Sequence, residues 1–458
     1  MLELRVVGMV VPESVAQVIK TLQASGYEAY LVGGAVRDLL LGLAPKDWDV
    51  VTSALPEAVC ALFPHVLLTG VRFGTVTVIE GGCPVEVTTY RAEGRYNGHY
   101  PGEIRFGVTL EEDLSRRDFT INAIAYDPIV GIFVDPCRGM GDLLGERAVI
   151  RFVGFPAERI AEDPLRILRT FYMQARLDAA GKKNYVSASS LAAIVDILSD
   201  RPEIFDSISA ERIRDELNKI LLGPDPRRYF SCMLASGVLD LILPEVVNLH
   251  DVAQGKRHCL DAFGHTMLVL NHVPSELHLR WAALLHDIGK ALTLTVGADG
   301  EIHFYGHEHV GAEMAGRVLE RLRFPVQFRE RVVHVIKQHM FQRPATRAGF
   351  RRLARRCGGY LDDVLALKRA DILGSGNPAT DTRAFDEFVS ELFGVLSENP
   401  PLGYRELAVD GHDVMEALGI GSGPPVGQAL DFLIECVIDD PSLNRPEVLL
   451  KLLKERFM

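Results

Sequence analysis

The sequence predicts an α/β head over residues 1–150, followed by helical structure to the end of the chain. Three observations lead there. Short β-branched runs bounded by glycine are concentrated before Arg91, an apolar stripe at helical spacing precedes them, and after "FVDPCRGMGDLLGERAVIRFVG" few strands are readable beyond residue 155. At 458 residues the chain also exceeds what one hydrophobic core holds. The texture suggests a head at 1–150, a helical neck at 151–225, a histidine-rich helical body at 226–375 and a helical tail at 376–458.

The elements follow in order. Residues 13–25 place Val15, Val18, Ile19 and Leu22 on one helical face. "EAYLVGG" is a strand ending in a glycine turn, and Arg37 to Leu41 begins a second helix that Gly42 and Pro45 break. "DWDVVT", "GTVTVI" and "PVEVTTYR" are strands, the last two joined by "EGG" as a hairpin. Beyond the head, Pro164, Pro202, Pro224 and Pro244 fall near the starts or breaks of helical runs.

Bulk properties narrow the class. Hydrophobic residues make up 48% and charged residues 24%, as in ordinary globular proteins. The net charge of −12 means that nucleic acid would have to be met by local basic patches. The seven cysteines, Cys60, Cys83, Cys137, Cys232, Cys259, Cys357 and Cys436, form no CxxC pair, which argues against a disulfide framework or zinc ribbon. The first residues interrupt their apolar run with Glu3, Arg5 and Glu13, unlike a secretory signal. No charge-free apolar run reaches ~18 residues, so no membrane partner is expected and a cytoplasmic enzyme is the natural class.

The stretch "LVGGAVRDLLLGLAPKDWDVVT" carries the first chemical signal. Asp47 and Asp49 at alternate strand positions would point to one side and repel unless a cation lay between them; hard oxygen ligands suit Mg²⁺. The bland alternative is a strand edge with two solvated acids. Gly33 and Gly34 at a strand-to-helix turn allow close backbone approach to an anion, and Arg37 lies one helical turn on. Together these suit a triphosphate with magnesium, and hence nucleotidyl transfer.

Here a resemblance becomes specific. "LVGGAVRDLLLG…PKDWDVVT", "TGVRFGTVTV…VEVTTYR", "EEDLSRRDFTINAIAYD", "AEDPLRILR" and "ISAERIRDELNKIL" resemble, in order, the motifs of class II bacterial tRNA nucleotidyltransferases, relatives of bacterial poly(A) polymerase. The resemblance implies a polymerase-β-like head with Asp47 and Asp49 as catalytic metal ligands and CMP or AMP added to a tRNA 3′ end. The expected partners are therefore ATP, CTP and tRNA, with Mg²⁺ as cofactor. Glu86, on the strand after the hairpin, is a candidate third carboxylate. Arg117 can neutralise phosphate, Asp118 can accept from a ribose 2′-OH, and Asn122 lies four residues on, on the same face if this stretch is helical. A solvated charge cluster is the alternative.

In "EDPLRILR", Asp163 only accepts and Arg166 only donates. Cytosine and adenine each offer an amino donor beside a ring-nitrogen acceptor, so this pair suits C and A and leaves polar groups unpaired against U and G. The resemblance implies that Asp163 and Arg166 act as a protein template and that Arg169 contacts the nucleotide; a helix salt bridge is the alternative. Two departures bear on the product. The family often has arginine where this chain has Tyr172, and the loop "RAEGRYNGHYPGEIRF" carries Asn97, His99 and Tyr100 in place of an acidic-and-arginine pattern. Partial CC- or A-adding activity therefore stands beside full CCA addition, while "TGVRFGTVTV" argues against a poly(A) polymerase.

A second signal lies in the body. "FGHTMLVLNHV…LRWAALLHDIGKA…YGHEHVGAEMA…VIKQHM…LKRADILGSG" presents His265, His286-Asp287, then His307 or His309, His339 and Asp371. Such residues suit a divalent transition metal, and a His-Asp pair inside an apolar helix is costly to bury without one. The pattern resembles HD phosphohydrolases, which implies His265, His286, Asp287 and Asp371 as ligands of a second divalent metal (Ni²⁺, Mn²⁺ or similar) and hydrolysis of RNA-end phosphates. A chain acting only as such a phosphohydrolase, with a head that merely binds RNA, is the different-class alternative. Finally, Arg343, Arg347, Arg351, Arg352, Arg355 and Arg356 could present one face to tRNA phosphates or form a solvated charged face.

Overall fold

The computed structural model describes residues 10–458 apart from 94–95, 98–99, 102–103, 255–259, 299 and 378–379. It divides into two compact units, Met1–Pro244 and Glu245–Met458.

The first unit is built on a seven-stranded sheet. Its strands are β1 (Ala29–Val32), β2 (Asp49–Thr52), β3 (Val66–Gly70), β4 (Thr75–Glu80), β5 (Cys83–Thr89), β6 (Ala125–Asp127) and β7 (Ile132–Val134). They lie in the order β7-β6-β1-β2-β5-β4-β3. The β2–β5 pair is parallel and the other neighbours are antiparallel. The helix Glu13–Ala24 matches its sequence pattern to within a residue and buries Val15, Val18, Ile19 and Leu22 in a core with Val50, Val76, Val78, Val85 and Val87. Each such side chain contributes roughly 1.5–3 kcal/mol of burial free energy. Between Glu80 and its partner Cys83, the hairpin turn uses Gly81 and Gly82 at φ +55° and +79°, as a two-residue turn with a left-handed backbone requires. The edge strand β3 is absent from the sequence reading because Leu67 and Leu68 are both exposed, which breaks alternation.

The neck is formed by helices Pro156–Glu162, Leu165–Ala179, Ala188–Asp200 and Ala210–Leu221. A short parallel pair, Ala148–Ile150 with Asn184–Val186, crosses the point where strands were expected to end.

In the second unit, helices Ala262–His272, Leu277–Leu285, His307–Arg321, Val326–Gln338 and Leu361–Leu373 form the histidine-rich body, with a hairpin of Leu294–Val296 and Ile302–Phe304. Helices Gly411–Leu418, Pro424–Asp439 and Pro446–Phe457 enclose a separate core that includes Val414, Leu433, Ile434, Val437 and Leu449. Among the described residues no helix is long and apolar enough to cross a membrane.

Candidate active site and candidate metal centre

In the first unit, β1 ends at Gly33, with φ +72° and ψ −133°, a conformation close to glycine-only. A Cβ there would lie 3.1 Å from Arg117 Nη1 and 3.7 Å from Asp49 Oδ2. The glycine is therefore sandwiched between a guanidinium and a carboxylate. Asp49 is the first residue of β2 and the register partner of Glu86 on β5. Asp47 does not share that strand: it sits exposed in the bend before it, so strand alternation does not align the two aspartates. Its charge is felt nonetheless. Burial pushes the Asp49 carboxyl up to about 6, Glu86 and Asp47 add to the rise, and Arg117 opposes it. An acid raised chiefly by burial, with Glu86 and Asp47 as neighbouring carboxylates, fits a divalent cation with oxygen ligands.

Asp49, Glu86, Arg117, Asp118, Arg166 and Arg169 line one cleft of about 330 Å³. Burial depresses the Arg117 guanidinium, while Asp113, Asp49 and Asp118 support its charge. Burial alone would raise Asp118, but Arg169 at 2.8 Å, the Asn122 amide at 3.1 Å and the Phe119 N–H at 2.8 Å hold it below the usual carboxylate range. Asn122 reaches Asp118 through a 3₁₀ turn, Thr120–Asn122, and not along the α-helical face expected from sequence. Arg37 is the clearest correction. It is 6% exposed, donates to Asp38 Oδ1 at 2.8 and 3.1 Å and to Asn122 Oδ1 at 2.7 Å, and does not line the cleft. With its donors spent inside the fold, it braces Asn122 and is not free to hold phosphate.

The second correction concerns the base-reading pair. Asp163 ends the Pro156–Glu162 helix and the next helix begins at Leu165, so Asp163 and Arg166 share no helical face. Asp163 Oδ1 accepts from Leu165 N–H at 3.2 Å and Oδ2 from Arg212 at 2.9 Å. Arg166 Nη1 donates to Glu162 at 2.6 Å and to the Arg159 carbonyl at 2.9 Å, and Nη2 to the Arg116 carbonyl at 3.2 Å. Each is thus held by its own neighbours. The sequence reading missed Glu162 and Arg212 as partners, although both stand in the quoted motifs and a buried arginine requires acceptors. A second cleft of about 370 Å³ shares Arg169 and includes Tyr172, Arg212, Glu216 and Lys219; the Lys219 ammonium lies 5.3 Å above the Tyr172 ring. His99 and the side chains of Asn97 and Tyr100 lie outside the described residues.

In the second unit the expected ligands converge. His265 Nε2 lies 3.1 Å from Asp371 Oδ1 and 3.5 Å from Asp287 Oδ2, and His286 Nε2 lies 3.2 Å from Asp287 Oδ2. His307 joins them, with Nε2 3.4 Å from Asp287 Oδ1, while His309 is exposed beside Glu308. The His339 ring packs against those of His286 and His307, with centroids 5.3 and 5.5 Å apart. All four buried imidazoles are oriented identically: Nδ1 meets the carbonyl of Gly374, Ala283, Phe304 or Ile336 for His265, His286, His307 and His339 respectively, at 2.6–2.9 Å. A donor at Nδ1 leaves a lone pair on Nε2, and the buried Nε2 atoms of His286, His307 and His339 have no hydrogen-bond partner. Burial, with His286 beside it, drives His339 down to about 3, so its imidazole is neutral. Gly289 permits the assembly, since a Cβ there would lie 2.2 Å from the His307 carbonyl. This donor set fits a divalent transition metal.

Apart from the exposed Arg356, the arginines in and just before the helix Arg347–Cys357 are engaged within the same unit. Arg343 pairs with Glu391 at 2.9 Å, Arg347 with Glu398, Arg352 with Glu435 and Asp439 at 3.0 and 2.7 Å, and Arg355 with Glu435 at 2.7 Å. Arg351 is buried and donates to the carbonyls of Ile438 and Asp439. These cations tie the body to tail helices, so they are not an open phosphate track.

Comparisons with known proteins match three domain models along the chain. Residues 29–151 match the family model of the poly A polymerase head domain, 200–249 that of the probable RNA and SrmB-binding site of polymerase A, and 255–375 the HD domain. The chain is 34% identical to an A-adding tRNA nucleotidyltransferase of Deinococcus radiodurans over 89% of its length and 91% of that protein. It is 33% identical to a CC-adding tRNA nucleotidyltransferase of Thermus thermophilus, covering 89% of each. The solved CCA-adding enzyme of Bacillus stearothermophilus in complex with CTP superposes with a TM-score of 0.70 at 28% identity, covering 97% of both chains.

Proposed function

The chain belongs to the family of CCA-, CC- and A-adding tRNA nucleotidyltransferases, and from that membership we propose that it builds or repairs the 3′ CCA end of tRNA, taking CMP and AMP from CTP and ATP. The observation that carries this reading is the approach of Asp49 and Arg117 to Gly33, the glycine that follows β1, with Glu86 beside Asp49. In the reaction the terminal 3′-hydroxyl oxygen attacks the α-phosphorus; a P–O bond forms there as the bond to pyrophosphate breaks. Mg²⁺ held by Asp47 and Asp49, when bound, would lower the pKa of that hydroxyl and offset the developing charge.

The rest is done by the chain. Backbone at Gly33 and Gly34, with Arg117, holds the triphosphate, and Glu86 serves as a third carboxylate. Asp118, steadied by Asn122 and Arg169, accepts from the ribose 2′-OH. Asp163 and Arg166, each held by a second residue, read the base. Arg37 supports this arrangement through Asn122. The assignment divides the chain into head 1–150, neck 151–225, body 226–375 and tail 376–458. A tRNA substrate also implies work in the cytoplasm.

The test supplies tRNA transcripts ending at the discriminator base, at C or at CC with CTP, ATP or both, and sequences the 3′ ends. CCA from the shortest transcript supports the proposal. Arrest at CC, or addition of A to CC ends only, means a divided pathway, and long A tails mean a poly(A) polymerase. Loss of addition in Asp47→Ala sinks the reading in which the head only binds RNA.

A second reading is favoured by the converging histidines. We propose that His265, His286, Asp287 and Asp371, joined by His307 and His339, hold a divalent metal such as Ni²⁺ or Mn²⁺ and hydrolyse RNA-end phosphates. Metal content and cyclic-phosphate hydrolysis, each compared with His286→Ala, test it.

A further inference from the structure

The six side chains of the histidine–aspartate centre are not equally enclosed. Those of His265, His286, Asp287 and His307 are 0–6% exposed and His339 is fully buried, but Asp371 is 17% exposed. Solvent therefore reaches the centre on the Asp371 side. There the carboxylate divides its oxygens: Oδ1 faces His265 at 3.1 Å and His286 at 4.0 Å, while Oδ2 accepts from Lys368 Nζ at 2.9 Å. Lys368 stands three residues earlier on the Leu361–Leu373 helix, with its side chain 18% exposed.

Two lysines attend the two carboxylates, and they differ. Lys290 is buried and gives short hydrogen bonds, both 2.6 Å, to Asp287 Oδ2 and Gln254 Oε1, so its charge is used inside the fold. Lys368 has three donors. One goes to Asp371 and one lies 3.9 Å from the weak acceptor Met340 Sδ. Met340 also lines a cleft of about 1060 Å³, together with Arg352, Arg355, the exposed Arg356 and the acids Asp431 and Glu435. In that cleft Arg352 and Arg355 are paired with Glu435, one of its lining acids, so the cations left to meet a phosphate are Lys368 beside Asp371 and the exposed Arg356.

We propose that Lys368 is the phosphate-binding residue of this centre. A non-bridging oxygen of a phosphate ester accepts from Lys368 Nζ while the phosphorus faces the ligand cluster, and the RNA carrying it lies along the Met340–Arg356 cleft. This rests on the reading of the centre as a metal site. A lysine that only oriented Asp371 would have no need of a partly exposed ammonium at the open side.

The experiment uses the full chain loaded with Mn²⁺, its metal content measured by mass spectrometry and its melting temperature recorded. Affinity is measured for inorganic phosphate and for a short RNA ending in a 3′-phosphate, with His286→Ala giving the background from the head. Lys368→Met should keep its metal and lose about tenfold or more in affinity for both probes, the scale of a lost charge-assisted hydrogen bond. Lys368→Arg should retain most of it. A larger loss for the RNA than for phosphate assigns the cleft to the polymer; equal losses restrict the site to the phosphate group and remove the cleft from the proposal.

Unchanged affinity in Lys368→Met overturns the role of the lysine while leaving the metal centre intact. Loss of metal along with Lys368 also overturns it, since the residue would then only position Asp371. A wild-type chain that takes up no metal at this centre overturns the centre and the proposal together.

Discussion

Asp49 and Glu86 are register partners across the parallel β2–β5 pair of the seven-stranded sheet, so their carboxylates leave the same face side by side. Burial raises Asp49 to about 6, and Glu86 and Asp47 add to the rise against Arg117. Below about pH 6 a proton occupies the position a cation must take. The apparent Mg²⁺ requirement for nucleotide addition should therefore rise about tenfold per pH unit on the acid side. Glu86→Gln removes a like charge, so the bend in that profile should move to lower pH. Mg²⁺ titrations of initial rate at several pH values check both; a flat requirement across the acid range would refute the assignment.

The same shift has a stability consequence. Asp49 binds its proton more tightly in the folded chain, at about 6, than at the ordinary aspartate value of 3.8. Its contribution therefore falls as pH rises between these values and is fully lost above about 6. In metal-free protein at neutral pH, Asp49→Asn should melt at a higher temperature than wild type, and added Mg²⁺ should raise the wild type only. Calorimetry with and without chelator measures this.

Gly33→Ala should separate catalysis from folding. Alanine at φ +72° costs roughly 1–3 kcal/mol, and its methyl would press on Arg117 Nη1 at 3.1 Å. The fold absorbs that, but the guanidinium must move, and a displacement of this kind costs about a hundredfold in rate. Steady-state kinetics beside a melting curve should give a large loss in the first and a small one in the second.

Base choice should depend on a residue that touches no base. Glu162 accepts from Arg166 Nη1 at 2.6 Å, and Arg166 is nearly buried. Glu162→Gln weakens this charge-assisted bond and frees the guanidinium to turn. UTP and GTP should then be accepted more readily relative to CTP and ATP, by about tenfold, with the KM for CTP rising more than kcat falls. Competition assays with all four nucleotides report it. Unchanged ratios would mean that Arg166 is fixed by the Arg159 and Arg116 carbonyls alone.

What was legible in the sequence divides along a physical line. Short apolar runs bounded by turn residues marked β1, β2, β4 and β5, and a period-3.6 stripe marked the Glu13–Ala24 helix, which buries one face. The resemblance, together with side-chain chemistry suited to metal, phosphate and base, named Asp49, Arg117, Asp118, Arg166 and Arg169, and these five line one cleft. Spacing arguments failed where the backbone was irregular. Asp47 lies in a bend, Asn122 in a 3₁₀ turn and Asp163 in the break between two helices, and no periodicity describes such positions. Arg37 was misjudged for another reason: whether an arginine faces a ligand or an internal acid is decided by tertiary partners, here Asp38 and Asn122.

The arginine-rich helix invites the last prediction, because sequence alone suits two outcomes. Arg352 and Arg355 both donate to Glu435, at 3.0 and 2.7 Å, and all three side chains are partly exposed. Exposed pairs contribute about 0–1 kcal/mol each, so this network stabilises only modestly. What it does more strongly is cancel positive charge. Glu435→Gln should lower the melting temperature by a few degrees at most while removing the one negative charge that Arg352 and Arg355 share, Arg352 keeping Asp439. If tRNA passes this face, affinity should then increase and its salt dependence steepen by the equivalent of about one to two phosphate contacts. Arg352→Ala, by contrast, should leave tRNA affinity nearly unchanged, because that cation is already neutralised in the wild type. Filter binding over a range of salt distinguishes the cases: a marked loss for Arg352→Ala would mean that tRNA displaces Glu435 and that the arginines are phosphate ligands after all.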